Sequence, residues 1–295
     1  MSRQKAIIFG ISGQDGYYLS KHLLQQKIEV TGVSRSGGNW IQGSVANFEL
    51  VDSLIKTTKP DYIFHLAANS ATRHELLFEH LQTISTGTLN ILESAYRHAG
   101  GTKIFIAGSG LQFVNTGDPI KETDEFSAMD VYSVARIHAV YAARYFRSKG
   151  LRTFIGYLFH HDSPMRKENH LNQKIVNAVK AIEKGEESRL SISDVSVEKE
   201  YGFADDIAEG ILHLVRQDEV FEACIGTGKA YTIQKWLELC FTSINKDWMD
   251  FVDTNKDFVP EFKRLVSDPG TMNKSGWQSK TGIEELAKIM LHYSP

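Results

Sequence analysis

Lys5-Ala-Ile-Ile-Phe-Gly-Ile-Ser-Gly-Gln-Asp-Gly16, followed by the apolar-periodic run from Tyr17 to Gln26, is the stretch whose reading decides the fold. An apolar run, glycines at positions 10, 13 and 16, and then a helical pattern read as a buried strand turning tightly into a helix. In such a turn Gly10 permits the bend, Gly13 lets a phosphate approach the backbone, and Gly16 lets helix and strand pack closely. The helix N-terminus, with unpaired N–H groups and the positive end of its dipole, then faces an anion. The same spacing also occurs in ordinary turns, so the phosphate-loop reading leans on the next segment. Glu29 to Val33 is strand-like and ends in Ser34-Arg35-Ser36. A carboxylate there would accept hydrogen bonds from an adenosine ribose, whereas a guanidinium and hydroxyls suit a 2′-phosphate; the sequence therefore favours NADP(H) over NAD(H).

Further strand-like runs at 61–66, 103–107 and 151–158 alternate with helical patterns, of which 132–149 is the longest and 78–98, closed by Gly100-Gly101, is another. This alternation predicts an α/β, Rossmann-like doubly wound parallel sheet. From about His160 the order loosens into a turn at Asp162-Ser-Pro164, a helix over 172–184, a short strand over 189–192, a helix over 205–216, and a strand, turn and helix start over 225–233. The expected division is a cofactor-binding domain over 1–160 and a mostly C-terminal, substrate-binding region over 161–295 that sends some elements back to the first. Gly226 and Gly228 lack the spacing of a P-loop.

A chain of 295 residues buries roughly three quarters of its unfolded surface, enough for one or two domains. Net charge is −3 with scattered basic residues, which argues against a nucleic-acid surface and favours a cofactor and small-molecule enzyme. Cys224 and Cys240 each lie in an apolar segment, so core positions and a reducing cytoplasm are expected rather than a disulfide framework. No run approaches the ~20 apolar residues of a membrane span, and the opening stretch is too soon broken by glycine for a signal peptide.

Ala107-Gly-Ser-Gly110 closes one of the strand-like runs, and Tyr132-Ser-Val-Ala-Arg136 heads the longest helix. A tyrosine and a cation four apart share a helix face, so the cation can favour the phenolate while touching a bound ribose; Ser109 can hydrogen-bond the same substrate oxygen. The plainer alternative is that Tyr132 packs against the core and Arg136 is solvated.

Taken together, these residues resemble the extended short-chain dehydrogenase/reductases and, within them, the GDP-mannose 4,6-dehydratase branch, over nearly the whole chain. Gly10-Ile-Ser-Gly-Gln-Asp-Gly16 is similar to that branch's nucleotide loop, which implies cofactor contacts from Gly10, Ser12, Gly13, Gln14, Asp15 and Gly16. Lys59 to Ser70 resembles a segment whose Leu66, Ala67, Ala68 and Ser70 line the cofactor, and Ser44 stands, with Val45 beside it, where the branch has an adenine-facing Asp. Leu158-Phe-His-His-Asp-Ser-Pro-Met-Arg-Lys-Glu-Asn169 resembles the branch's Leu-Phe-Asn-His-Glu-Ser-Pro-Arg-Arg-Gly-Glu-Asn. The resemblance puts His161 and Arg166 on the cofactor and His160, Asn169, Lys174 and Lys199 on the nucleotide-sugar side, Lys199 replacing an Arg expected at the diphosphate. Val259 replaces another such Arg. Glu200-Tyr-Gly-Phe-Ala, Ser267-Asp-Pro269 and Gly276-Trp277 match further motifs of the branch. His160-His161-Asp162 lacks a third ligand at metal spacing, so no metal is expected.

The departures matter as much. The branch's Ser-Thr-Ser-Glu is here Gly108-Ser-Gly-Leu111, so the hydroxyl survives as Ser109 while the catalytic glutamate has become leucine; its Tyr-x-x-x-Lys is Tyr132-x-x-x-Arg136, which keeps the charge but cannot lend a proton. The expected activity is NADP-dependent hydride transfer at sugar C4, with Ser109, Tyr132 and Arg136 catalytic, in the direction of reducing a GDP-linked 4-keto-6-deoxy sugar of the kind used in surface polysaccharides. A 4,6-dehydratase, a 4-epimerase or a catalytically silent nucleotide-sugar-binding homologue are the alternatives. The resemblance also implies a homodimer through the helices over 78–98 and 132–149, and the short segment between Arg35 and Gly43 argues against the branch's tetramer.

Overall fold

Alternation along the opening strand, β1 (Lys5–Phe9), gives the molecule two cores: Ile7 and Phe9 enter one, Ala6 and Ile8 the other. The computed structural model describes residues 3–255 and 258–293. After β1 come α1 (Gln14–Gln25), β2 (Glu29–Ser34), β3 (Ile41–Gln42), α2 (Phe48–Thr58), β4 (Tyr62–His65), α3 (Leu77–His80), a π-helical segment (Leu81–Thr86), α4 (Gly87–His98), β5 (Lys103–Ser109), α5 (Val131–Ser148) and β6 (Arg152–Leu158). The second half holds β7 (His161–Asp162), α6 (Leu171–Glu183), β8 (Leu190–Ile192), β9 (Glu198–Glu200), β10 (Gly202–Phe203), α7 (Ala204–Arg216) and β11 (Glu222–Ile225). It closes with β12 (Ala230–Thr232), α8 (Ile233–Thr242), β13 (Val252–Thr254), β14 (Arg264–Leu265), α9 (Gly270–Lys274) and α10 (Ile283–His292).

Seven strands form one sheet in the order β11-β6-β5-β4-β1-β2-β3, with every pairing parallel. Such a sheet must be covered on both faces. Val51 and Ile55 of α2, Ile91 and Leu92 of α4, and Ala135 and Ala139 of α5 cover the Ile7 side, while Leu19 and Leu23 of α1 and Ile207 and Ile211 of α7 cover the Ile8 side. A third core joins α6, α8 and α10, where Tyr201 stacks on Trp236 at 5.1 Å between ring centroids. Strand order reverses between β1 and β4, and the crevice at their C-terminal ends is where such folds hold ligands. Cys224 and Cys240 are buried free thiols in these cores. Among the described residues no helix is long and apolar enough to cross a membrane.

The helical period expected over 78–98 is interrupted. Its middle is π-helical, and the wider turn carries three consecutive residues, Thr83, Ile84 and Ser85, inward together. Ser85 Oγ there donates to the Ala135 carbonyl of α5, 3.4 Å away. The reading of 225–233 as strand, turn and helix start omitted β12, and α2 and β3 were not singled out. β11 and α7 belong to the large sheet although they follow residue 160 in the chain.

Gly10 has φ +96°, and a Cβ on it would lie 2.6 Å from Ala67 N; a Cβ on Gly16 would lie 2.7 Å from Ile11 Cα. Both obstacles are backbone and cannot swing aside. Gly16→Ala is therefore expected to cost about 1–3 kcal/mol of stability by overpacking, read as a lowered urea midpoint with an unchanged m-value.

Candidate active site

Tight packing of α1 on β1 opens a cleft of about 260 Å³ beside the first turn. Gly10, Ser12, Gly13, Arg35, Ser44, Val45, Leu66, Ala67 and Ala68, all expected cofactor residues, line it. Ser34 and Ser36, whose hydroxyls the sequence places beside Arg35, line it too, and so do Thr83 and Lys167, which the sequence reading does not include; Thr83 is brought in by the π-helical turn, and Lys167 carries no signal beyond its place next to Arg166. Gly13 is the N-cap of α1 and bears no side chain to block the helix N-terminus. Ser12 Oγ and Ser34 Oγ are 2.6 Å apart, Ser34 Oγ and Ser36 Oγ 3.1 Å, so three hydroxyls and the Arg35 guanidinium gather at one end of the cleft. A bare glycine turn, a helix N-terminus and a cluster of hydroxyls with a guanidinium fit a nicotinamide dinucleotide.

Other expected cofactor residues are spent on the protein itself. Gln14 is buried, its amide donating to His161 O (3.1 Å) and accepting from Ser163 Oγ (3.0 Å), and Gly16 is packed beneath the turn. His161 donates from Nδ1 to Phe159 O (2.7 Å) and meets Asp15 Oδ1 through Nε2 at 2.7 Å. Burial works to lower the His161 imidazole, but the Asp15 charge and hydrogen bond outweigh it and leave it raised. Burial works to raise Asp15, and His161 with Arg166 and Arg136 leaves it lowered. The pair is thus an imidazolium and a carboxylate that pin the chain after β6 to the first turn of α1. Ser70 is exposed and absent from the cleft lining. Arg166 is held by Asp162, Nε to Oδ1 3.2 Å.

Tyr132 and Arg136 lie one turn apart on α5, both buried. The Arg136 guanidinium stands 5.0 Å over the Tyr132 ring, and its Nη1 donates to Ala107 O at the end of β5, so the cation is buried against the sheet, not solvated. His80 meets the other side of the phenol edge-on at 5.5 Å and is fixed by its own Nε2 bond to Ala71 O (2.8 Å). Below them His65 is fully buried and neutral, pushed down to about 3 by burial and by the Arg136 charge. Ser109 caps the short turn that follows β5, its hydroxyl accepting from Leu111 N (3.2 Å) while its N–H donates to Gln112 Oε1 (2.8 Å). Ser133 Oγ donates to Leu111 O (3.0 Å), which ties that turn to the start of α5. Tyrosine, serine and a buried cation are thereby set on two adjoining elements, the arrangement needed to polarise a carbonyl and pass it a proton.

A family model described as GDP-mannose 4,6 dehydratase matches residues 7–290. The chain belongs to the GDP-mannose 4,6-dehydratase family. It is 28% identical over 321 residues to GDP-mannose 4,6 dehydratase 1 of Arabidopsis thaliana, covering 98% of this chain and 89% of that protein. With the GDP-mannose 4,6 dehydratase of Homo sapiens identity is 28% over 340 residues, at 98% and 91% coverage. In fold it is similar to the UDP-glucose 4-epimerase of Thermus thermophilus in complex with NAD, with a TM-score of 0.83, 19% identity and 98% of each chain covered. RMD from Pseudomonas aeruginosa complexed with NADPH gives 0.83 and 18%, covering 98% of this chain and 96% of that one.

Among the residues expected on the nucleotide-sugar side, the structure gathers a buried polar cluster around Lys199. Its Nζ donates to His160 Nε2 and Asn172 Oδ1, each at 3.2 Å, and Asn172 Nδ2 donates to Asp162 Oδ2 (2.6 Å). His160 donates through Nδ1 to Glu200 O (3.1 Å) and is held neutral, well below its ordinary value, by burial and the neighbouring Lys199. Asn169 and Lys174 are exposed and make no contact with this cluster; Asn172 was missed because only its position one turn into α6 gives it a role. Glu200, fully buried, accepts from Ser267 N and Oγ at 2.6 Å each through Oε1, and from Thr227 N and Oγ1 through Oε2.

A second cavity, about 490 Å³, opens between the turn after β5 and the segment leading into β14. Leu111, Phe113, Val114, Met129 and Phe262 give it apolar lining, and Asn115, Glu261, Lys263 and Arg264 polar lining. Leu111, in the family's glutamate position, packs partly on the core. A carboxylate does line this cavity: Asp130, the N-cap of α5, whose oxygens accept from Ser133 N (2.8 Å) and Ser133 Oγ (2.9 Å). Its N-cap position before an apolar helix was visible in the sequence, but its nearness to Leu111 was not. Among the described residues no cluster of three or more His, Cys, Asp or Glu side chains is arranged for a metal ion.

Burial, set against Asp162 and reinforced by Arg166, brings the Lys199 amine down to about 8 from its ordinary 10.5. The unfolded chain then binds more protons than the folded one between these values, so stability contributed through Lys199 rises with pH across that window. Relative to Lys199→Met, the native protein is expected to gain up to about 1.4 kcal/mol per pH unit between pH 8 and 10 in urea unfolding; parallel pH profiles would overturn this.

Proposed function

We propose that the chain is an NADP(H)-dependent oxidoreductase acting at C4 of a nucleotide-linked sugar, with GDP the nucleotide by kinship. The reading rests chiefly on Tyr132, buried between His80 and the Arg136 guanidinium and coupled through Ser133 to the turn that carries Ser109. Gly10, Gly13, Ser34, Arg35 and Ser36 would hold the dinucleotide, which when bound supplies or takes the hydride. Tyr132 gives a proton to O4 in reduction or removes it in oxidation, Ser109 hydrogen-bonds the same oxygen, and Arg136 steadies the phenolate through the ring face. The apolar side chains of the second cavity suit a sugar whose C6 is a methyl group, and Lys263 and Arg264, which line the same cavity, supply charge for a diphosphate. Reduction of a 4-keto-6-deoxy sugar is the direction favoured by Leu111, because removing the C5 proton and expelling the C6 hydroxyl need a carboxyl group there.

The second reading is the complete 4,6-dehydratase cycle. The names of the relatives favour it over a reductase, and Asp130 favours it too, since it returns a carboxylate to the cavity that Leu111 lines. One pair of incubations separates the two. NADPH with a GDP-4-keto-6-deoxy sugar is expected to be oxidised by the protein and not by Tyr132→Phe. GDP-mannose with NADP⁺ in deuterated water is expected to show neither water loss nor deuterium at C5. A 4-keto-6-deoxy product would establish the second reading, and Asp130→Asn, which keeps the N-cap acceptor, should then lose about 10²–10⁴-fold of that rate.

We also propose that the protein is a homodimer through α4 and α5. Leu89 and Tyr96 on α4, and Val134, Tyr141 and Tyr145 on α5, expose apolar surface at helical spacing on adjacent helices, which a second copy would cover by two-fold symmetry. Light scattering is expected to give twice the chain mass, and Tyr141→Glu with Tyr145→Glu to give the monomer; a native monomer at micromolar concentration would remove the proposal.

A further inference from the structure

The cluster at the ribose end of the cleft contains a charge that the sequence did not place there. Arg35 Nη2 meets Glu79 Oε1 at 2.9 Å, and Glu79 comes from α3, remote in sequence from the strand that carries Arg35. The Arg35 side chain is 59% exposed against 28% for Glu79, and Glu79 sits on the helix that runs directly into the π-helical turn of Thr83. Glu79 reaches the cleft through this contact with Arg35, which lines it.

A 2′-phosphate bears close to two negative charges and a 2′-hydroxyl bears none. Arg35 attracts the first strongly and the second weakly; a carboxylate already paired with Arg35 competes with the phosphate and repels it, and is nearly indifferent to the hydroxyl. Sites that choose NAD place a carboxylate at the end of the second strand, where this chain has Ser34-Arg35-Ser36. Here an acid reaches the same place from a different element. We propose that Glu79 is a specificity-determining residue that competes with the cofactor's 2′-phosphate for Arg35 and holds the NADP(H) preference below what Arg35 alone would give. The inference rests on the dinucleotide reading of the cleft. Lys167 also lines the cleft and adds positive charge to it.

Binding of NADPH, NADH, 2′,5′-ADP and 5′-ADP to the full chain, followed by cofactor fluorescence and calorimetry, tests this without any turnover. Glu79→Gln is expected to tighten NADPH and 2′,5′-ADP about three- to tenfold while NADH and 5′-ADP stay within about twofold, and the gain should shrink at high salt because the pair is exposed. Arg35→Ala should weaken the phosphorylated ligands about ten- to a hundredfold, and Glu79→Gln added to Arg35→Ala should give no further gain. A Glu79→Gln that leaves NADPH unchanged or looser, or that tightens both families of ligand equally, overturns the inference while the Arg35 result upholds the dinucleotide reading. Tightening that persists without Arg35 overturns competition as the cause. If Arg35→Ala leaves 2′,5′-ADP unaffected, or no form binds it, the NADP(H) reading itself falls.

Discussion

Backbone meeting backbone at Gly10, Gly16 and Ala67 is the contact on which the rest of the molecule depends. It fixes the distance of α1 from the sheet to within a methyl group. The helix N-terminus and the end of β4 then enclose a cleft narrow enough for main-chain groups to reach a ligand. Gln14 and Asp15 extend the same constraint outward, since they grip His161 and Ser163 from a helix that cannot move. His160 precedes that gripped segment and Asp162 lies within it, so the polar cluster around Lys199 is held in place through a turn in the first sixteen residues of the chain.

Much of this was legible in the sequence because it is local. The glycine spacing, the alternating strands and the capped helix of Tyr132 are written within short windows, and the cleft residues from Gly10 to Ala68 follow from them. Pairings between distant windows were not legible. The likeness of the glycine loop to the family's puts Gln14 and Asp15 on a cofactor, and the structure adds bonds to Ser163 and His161 from across the molecule. Arg136 was read as either solvated or on a ribose; a carbonyl of β5 and the face of its own tyrosine hold it. The π-helical turn broke a period that any 3.6-residue template would have continued, and it is what brings Thr83 into the cleft.

The buried groups around the site divide into two electrical kinds. Asp15 and His161 stabilise each other's charges, so their environment favours ionisation of both. His65 and His160 lie beside buried cations and remain neutral, serving as hydrogen-bonding or packing groups without a charge of their own. Tyr132 stands among these groups, with the His80 ring edge-on to its own and the Arg136 guanidinium over its face.

β11 has a consequence for how the chain can be made and divided. The sheet's outermost strand beside β6 is drawn from residues 222–225, after α6 has joined the third core and after α7, which packs on the sheet itself. Until the ribosome has released that segment, β6 presents an open row of amide and carbonyl groups and α7 cannot cover Phe105 and Phe154. A fragment cut near residue 160 would lack Lys167 from the first cleft and would expose an adhesive edge and half a core. The two functional regions are thus inseparable as pieces: the half that reads as a module in the sequence borrows its final strand from the half that follows it.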